Sequence, residues 1–413
     1  MNKSFLSQID PKIYSLVKKE HKRQEEGIHL IASDNYTSQA VREAVGSILS
    51  CRYAEGYPKK RYYSGLGFID QIEQLAIERA KKLFKANYAN VQPHSGSQAN
   101  MAVYFALLKP GDKILSMRID QGGHLSHGAA VNFSGRLYNF VFYGVDKKTE
   151  MINFSEVKKI AEKERPKLII AGASSYPRKI DFSKFKKIAQ EIGALLMADI
   201  AHIAGLVAAG LHPHPFPHCH VVTMTTHKTL RGARGGIILS RDKKIAEKIN
   251  KAVFPGLQGG PLENEIAGKA VAFLEAQRKD FFSYQRQVLK NAKALADVFL
   301  EKGFRLVSGG TDNHLLLIDL TPLGISGREG QEALEEVNIY VNRNVIPYEK
   351  RPAWETSGIR IGTPAVTSKG FKEKEIRKVG LFIDKVLKNI NKKAVKKEIK
   401  KEVITLSKKF PLQ

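Results

Sequence analysis

Cysteine and tryptophan are scarce in this chain, with two of the first and one of the second in 413 residues. Two cysteines, Cys51 and Cys219, cannot build a disulfide scaffold, nor a zinc site made of cysteine pairs. Both absences suit a reducing cytoplasm, where the protein is expected to reside. No internal repeat or low-complexity linker interrupts the sequence. A leader is not expected, because residues 1–20 carry Lys3, Asp10, Lys12, Lys18 and Lys19 with no apolar run or small-residue cleavage site. Long apolar runs are missing with one exception, Ile192 to Leu211. As a membrane span this run would bury Asp199 and His202 near its centre, and Gly193, Gly205 and Gly210 interrupt it. It reads instead as a buried strand, Ala194 to Ile200, followed by a loop. No membrane association is expected.

Acidic residues are also in short supply. There are 41 against 67 Lys and Arg, a net charge of +26. Such an excess draws polyanions. The surplus lysine is scattered, however, and no basic module interleaved with aromatics accompanies it, so nucleic acid is not an expected partner. The densest stretch is the tail, where Lys392, Lys393, Lys396, Lys397, Lys400 and Lys401 alternate with Ala394, Val395, Ile399 and Val403 at helical spacing. It reads as an amphipathic surface helix.

What remains is ordinary for a globular protein: 43% hydrophobic and 26% charged residues. The length allows roughly two to three domains. Residues 12–26 form a polar helix pattern and residues 70–84 an amphipathic one. Short apolar runs then alternate with helical patterns. The runs are Lys113–Met117, Tyr138–Tyr143, Lys167–Ala171, Ala194–Asp199, Val221–Met224 and Gly236–Ser240. The helical patterns fall at 98–108, 155–163, 183–191 and 242–251. This alternation specifies an α/β domain with a mostly parallel sheet. Residues 262–300 read as long helix. Strands at 304–308, 314–320 and 338–346, with helices at 328–336 and 371–390, read as a smaller α+β unit beyond a boundary near 275.

Three segments carry chemistry. In Val221 to Gly236 an apolar strand runs into Thr226-His227-Lys228 and then a turn rich in Gly and Arg. A lysine at the end of a buried strand is poorly solvated, and desolvation lowers its pKa and makes it a nucleophile toward carbonyls. In Asn90 to Asn100 the turn Ser95-Gly96-Ser97 opens a helix and offers N–H groups and hydroxyls to a phosphate. In Met197 to His202 a strand delivers Asp199 to its C-terminal end, where ligands of open α/β sheets bind. A buried Asp needs a cationic partner, and the protonated ring nitrogen of pyridoxal phosphate is one. The conjunction is far more specific than any one segment.

The chain resembles the serine hydroxymethyltransferases, fold-type I pyridoxal-phosphate enzymes, from about residue 10 to 390. The resemblance rests on LIASDNYTS at 30–38, YAEGYPKKRYY at 53–63, VQPHSGSQAN at 91–100, GGHLSHG at 122–128 and ADIAHIAGLVAAG at 198–210. TTHKTLRGARGG at 225–236, FPGLQGGP at 254–261, SGGTDNHL at 308–315 and SGIRIGTPA at 357–365 complete it. It implies an N-terminal arm over 1–53, a large cofactor-binding domain over 54–275 and a small C-terminal domain over 276–413. It further implies a homodimer with a shared active site, acting on L-serine, glycine and tetrahydrofolate.

The resemblance also implies residue roles. Lys228 would attach the cofactor, with His227 beside it. Asp199 would pair with the ring nitrogen, His124 would stack on the ring, and Ser174 and His202 would face its phenolic oxygen. Gly96 and Ser97 would take the phosphate, joined by Gly259, Gly260 and Tyr53 of a second subunit. Arg360 would clamp the substrate carboxylate, with Ser33 and Tyr63 lining the amino-acid site. Glu55 would be the acid/base near the serine hydroxyl. Ile119, Gly123, His124, Leu125, Asn344 and Pro352-Ala353-Trp354 would contact the folate. The sequence departs from the family pattern at Asp34, Ile119, Ala233 and Trp354, and none of these changes removes a chemical group. One cluster lies outside these motifs: His212, His214, His218, Cys219 and His220, interleaved with prolines. It reads as a loop rather than a metal tract, and no metal is expected. Two other readings fit parts of the sequence: an aldolase of β-hydroxy amino acids that uses little folate, and a basic polyanion-binding protein.

Overall fold

A computed structural model of the protein describes residues 4–412. Its centre is a seven-stranded sheet. In chain order the strands are β1 (Tyr88–Asn90), β2 (Lys113–Met117), β3 (Asn139–Tyr143), β4 (Leu168–Gly172), β5 (Leu195–Asp199), β6 (Val221–Thr225) and β7 (Gly236–Ser240). Across the sheet they run β1-β7-β6-β5-β4-β2-β3, all parallel except β7, which is antiparallel to both its neighbours. Because side chains alternate across a strand, adjacent apolar residues feed two cores. Leu115, Ile169, Leu196 and Val222 pack into one, and Ile114, Ile170, Met197 and Val221 into the other. Helices cover both faces, which is why the strands are apolar throughout.

A second sheet of four strands has the order Arg305–Leu306, Leu315–Asp319, Gly358–Gly362, Asn342–Asn344, all antiparallel. Its core is separate. It takes in Ile28 and Leu30 from the N-terminal segment, Leu295 and Phe299 from the helix Lys279–Glu301, and Ile399, Val403 and Leu406 from the tail helix Lys393–Ser407. The short strand Ile28–His29 pairs in parallel with Ile339–Tyr340. Lys369, buried beneath, donates from Nζ to the carbonyls of Glu25 (3.1 Å) and Gly27 (3.4 Å) and to Ser407 Oγ (2.6 Å). One ammonium thus satisfies carbonyls at the C-terminal end of the helix Pro11–Glu26 and holds the tail against it.

Four expectations need correction. The segment after the strand at 194–200, expected as a loop, holds the short helix Ala204–Ala208. The helical stretch 262–300 is two helices, Glu263–Glu275 and Lys279–Glu301. No Gly or Pro marks the break; Gln277 takes the Phe273 carbonyl with its side chain at 3.0 Å instead. The strand expected over 338–346 splits, because Ile339–Tyr340 and Asn342–Asn344 pair with different partners. The strand expected over 304–308 is two residues long, ending where Ser308 (φ 56) and two glycines turn the chain. The strand Gly358–Gly362 has no strand pattern in the sequence, because its glycine ends hide its apolar centre.

Candidate active site

Three carboxyl-terminal strand ends and one helix start meet on a cavity of about 240 Å³. Ser95, Gly96, Ser97, Asn100, His124, Ser174, Asp199, His202, His227, Lys228 and Arg234 line it. The helix Gly96–Leu107 begins there, with Ser95 as its cap accepting from Gln98 N at 3.2 Å. Its first turn presents unpaired N–H groups, a ready anion site. Gly96 is required because a Cβ there would lie 2.6 Å from Thr225 Cγ2.

Asp199 ends β5 and is deeply set. Its Oδ2 accepts from Asn100 Nδ2 and faces His127 Nε2, both at 2.9 Å, and Oδ1 accepts from Ala201 N at 3.0 Å. Burial pushes the carboxyl up, but the bonds from His127 and Asn100 win and hold it well below the usual carboxylate range. Lys228 follows β6. Burial lowers its ammonium to about 8, against the opposing pull of Asp199. His124 and His202 are kept neutral chiefly by burial, His124 at about 4 and His202 well below the ordinary range. His227, likewise desolvated, sits at about 3.

Arg360, in the middle of its strand, reaches Ser174 O at 2.8 Å, Ser174 Oγ at 3.3 Å and Asn342 Oδ1 at 3.2 Å. These partners are neutral oxygens. A guanidinium this buried, lowered by desolvation to about 10, still has capacity for a carboxylate. Ser174 Oγ in turn lies 3.4 Å from His202 Nε2. Ser33 lines an adjoining cleft of about 650 Å³ together with Asp34, Asn35, His227 and Arg234.

The remaining expected residues lie elsewhere on the chain. Tyr63 OH donates to Glu55 Oε2 at 3.3 Å, and the Tyr53 and Tyr63 rings are 5.9 Å apart. A Cβ on Gly259 would lie 3.2 Å from Glu55 Oε1, and one on Gly260 3.1 Å from the Tyr53 ring. Glu55 and Gly259 face an open hollow with Tyr62 and Phe254, sharing no lining residue with the Lys228 cavity. Arg61, almost fully buried, holds this loop. Its Nη1 donates to Ala54 O (2.7 Å) and Gly56 O (3.1 Å), on either side of Glu55, while Asp70 and Glu73 take its other nitrogens. Glu263 faces the same guanidinium at 3.7 Å with no hydrogen bond of its own.

Of the expected folate contacts, Ile119, Leu125 and Trp354 are exposed, as are Pro352 and Ala353. Gly123 packs where a Cβ would meet Met117 O at 2.2 Å. Asn344 Oδ1 accepts from Ser175 Oγ at 3.4 Å. The histidine-rich loop is committed to the backbone: His212 Nε2, His214 Nδ1 and His220 Nδ1 each accept from a main-chain N–H. Local sequence pattern does not single out His127, Asn100 or His314, whose ring stacks on that of His202 with Nε2 at 3.4 Å from His202 Nδ1. The two residues that fix Asp199 were in view only as members of the quoted segments GGHLSHG and VQPHSGSQAN.

Pyridoxal phosphate fits this donor set. An anion cradle, a buried carboxylate kept ionised and an amine of lowered basicity open onto one cavity, and the unfilled capacity of Arg360 lies beside it. A family model described as serine hydroxymethyltransferase matches residues 6–383 of the 413.

Proposed function

Since the chain belongs to the serine hydroxymethyltransferase family, we propose that its two residue clusters divide the work of that reaction between them. The enzyme is a glycine hydroxymethyltransferase of the fold-type I pyridoxal-phosphate class. It interconverts L-serine and tetrahydrofolate with glycine and 5,10-methylenetetrahydrofolate. The fold supports the assignment of roles through one observation: the ends of β5 and β6 and the start of the helix Gly96–Leu107 open onto the same cavity. The cofactor, when bound, supplies an electron sink for the bond broken at the substrate Cα.

The chain's own residues do the rest. Gly96 and Ser97 receive the phosphate. Asp199 holds a positive charge on the ring nitrogen, because His127 and Asn100 keep it ionised. His124 covers the ring, and Ser174 and His202 face its oxygen. Lys228 would hold the cofactor covalently and, when free, would hold or move a proton, with His227 flanking it. Arg360 binds the substrate carboxylate, with Ser33 alongside, and so fixes which bond at Cα is broken. The exposed Ile119, Leu125 and Pro352-Ala353-Trp354, with the buried Gly123 and half-buried Asn344, form the folate rim.

Glu55, Tyr53, Tyr63, Gly259 and Gly260 serve the site of a second copy. Glu55 and Gly259 line an open hollow with Tyr62 and Phe254, which shares no lining residue with the Lys228 cavity of the same chain. In the homodimer Glu55 holds or moves the proton at the serine hydroxyl. The division into arm (1–53), large domain (54–275) and small domain (276–413), and a cytoplasmic location, belong to the same reading. No described helix is long and apolar enough to cross a membrane.

Mixing two inactive variants tests the shared site. Lys228→Gln and Glu55→Gln homodimers should each be inactive in folate-dependent transfer. Unfolded and refolded together, half the dimers become hybrids with one intact site, restoring about a quarter of wild-type activity. No recovery on mixing would place Glu55 and Lys228 in the same subunit's site.

A further inference from the structure

Lys228 is carried on a turn that closes on itself once, Arg231 N donating to Lys228 O at 3.0 Å, and that takes two further donors from outside. Asn35 Nδ2 donates to Lys228 O at 2.8 Å, and Gln285 Nε2 donates to Thr229 O at 2.7 Å. Two carboxamides from outside the large sheet thus grip two consecutive peptide groups. Asn35 comes from the N-terminal segment, two residues after Ser33. Gln285 comes from the helix Lys279–Glu301, which packs into the second core. Thr229 Oγ1 donates to His202 O at 2.8 Å, tying the same turn to the strand that bears Asp199.

The Asn35 amide is fully used. Its second donor goes to Tyr284 OH at 2.9 Å, and its oxygen accepts from Ser368 Oγ at 2.7 Å and from Tyr36 N at 2.9 Å. Tyr284 OH in turn donates to Pro364 O at 3.1 Å. A carboxamide offers two donor hydrogens and two acceptor sites, and here all four have partners. An aspartate would set an acceptor oxygen against the Lys228 carbonyl, in place of the donor that Asn35 adds to the one from Arg231 N. Serine would be too short to span the arm, the lysine turn and the helix at once. The site therefore asks for this residue type specifically.

We propose that Asn35 is a positioning residue for Lys228, fixing the backbone from which the lysine side chain reaches the cofactor. The same side chain ties that backbone to the loop carrying Ser33, so the attachment lysine and the substrate loop are set by one amide. Fixing the peptide group after Lys228 limits rotation about its Cα, and the amine is presented toward the cradle rather than searching for it. This rests on Lys228 being the attachment residue.

The test uses the full chain, stripped of cofactor and given pyridoxal phosphate, with borohydride trapping to measure the rate of covalent linkage. Asn35→Ala and Asn35→Asp should slow linkage by about 10- to 100-fold, the usual scale for a reacting group misplaced by an ångström or so. Ser368→Ala removes one hydrogen bond of the network but leaves the Asn35–Lys228 bond. It should lower thermal stability and leave the linkage rate within about twofold of wild type.

A second readout separates positioning from general support of the fold. In a Lys228→Gln background no linkage forms, and noncovalent affinity for pyridoxal phosphate depends on the cradle and Asp199. Adding Asn35→Asp there should leave that affinity unchanged within about twofold. A wild-type linkage rate in both Asn35 variants would overturn the proposal. So would an equal fall in affinity in the Lys228→Gln background, which would make Asn35 merely structural. A trapped adduct that persists in Lys228→Gln would remove the attachment role itself, and the positioning role with it. Where Asn35→Ala does not fold, the isosteric Asn35→Asp carries the measurement.

Discussion

At the scale of single residues, burial sets the charge states of the site. Lys228 is lowered to about 8, whereas an exposed lysine titrates near 10.4. A lowered ammonium loses its proton earlier as pH rises, so the free amine appears through about pH 8. In the cofactor-free chain, labelling of Lys228 by an amine-selective reagent should rise with a midpoint near 8. A midpoint near that of the surface lysines would mean that Lys228 is solvated. Which residues were legible at this scale follows from chain position. Lys228, Asp199 and Gly96 each sit where a strand or helix ends, so local pattern alone singles them out. His127, Asn100 and Asn35 act on partners far along the chain. Asn100 lies on a helix of apolar and polar residues where its contact with Asp199 has no sequence signal. Only the fold brings these residues together.

At the scale of elements, apolar continuity made the large sheet readable. β2 and β7 have the bounds the sequence implied, because each is a closed apolar run between polar turns. The second sheet was less legible. Its strand Gly358–Gly362 alternates apolar residues with Arg360 and glycines. The stretch 338–346 serves two partners in turn, which no single-strand pattern can express. The helix Gly96–Leu107 shows how an element's start makes a site. Gly96→Ala would force the new Cβ against Thr225 on β6, and overpacking of this kind costs about 1–3 kcal/mol. We expect a lower melting temperature together with weaker cofactor retention on dialysis, because the cradle and β6 must move apart. A variant destabilised but retaining cofactor normally would separate the phosphate from this turn.

The start of the helix Glu263–Glu275 shows the opposite arrangement, an acid placed without a donor. Burial pushes Glu263 up to about 8, the nearby Glu73 adds to the rise, and Arg61 opposes it only in part. A carboxyl raised in the folded state contributes stability below its ordinary range, and that stability is lost as pH rises through about 8. Glu263→Gln should therefore change little near pH 5 and raise stability relative to wild type near pH 9, by on the order of 1–3 kcal/mol. Denaturant titrations at both values check this. An equal effect at the two would mean that Glu263 keeps its charge in the fold.

At the scale of the whole molecule, the tail is more than a solvated surface helix. Its lysines face outward as the amphipathic spacing implied, except Lys396, which pairs with Glu336 at 2.6 Å, but Ile399, Val403 and Leu406 lie in the second core. Ser407 Oγ donates to Glu25 O at 2.7 Å and Gly27 O at 2.9 Å. Removing residues from Ala394 onward strips three buried apolar side chains, each worth about 1.5–3 kcal/mol, and leaves Lys369 without its hydroxyl partner. The truncated chain should unfold at markedly lower denaturant concentration and lose turnover with it. Wild-type stability after truncation would return the tail to the surface. The sequence could show the helix and its apolar stripe, but what the stripe covers depends on the N-terminal segment at the far end of the chain.

The pairing of Ile28 with Ile339 also orders events in time. A ribosome makes the chain from its N-terminus, and every strand of the large sheet emerges before Ile339 does. The segment bearing Ser33 and Asn35 therefore has no strand partner while that sheet is being built. Lys228 is synthesised, and its sheet can close, before the strand Ile28–His29 has its partner. The backbone pairing that closes the segment ahead of Ser33 and Asn35 is thus among the last to become possible during synthesis, after Lys228 and its whole sheet have been made.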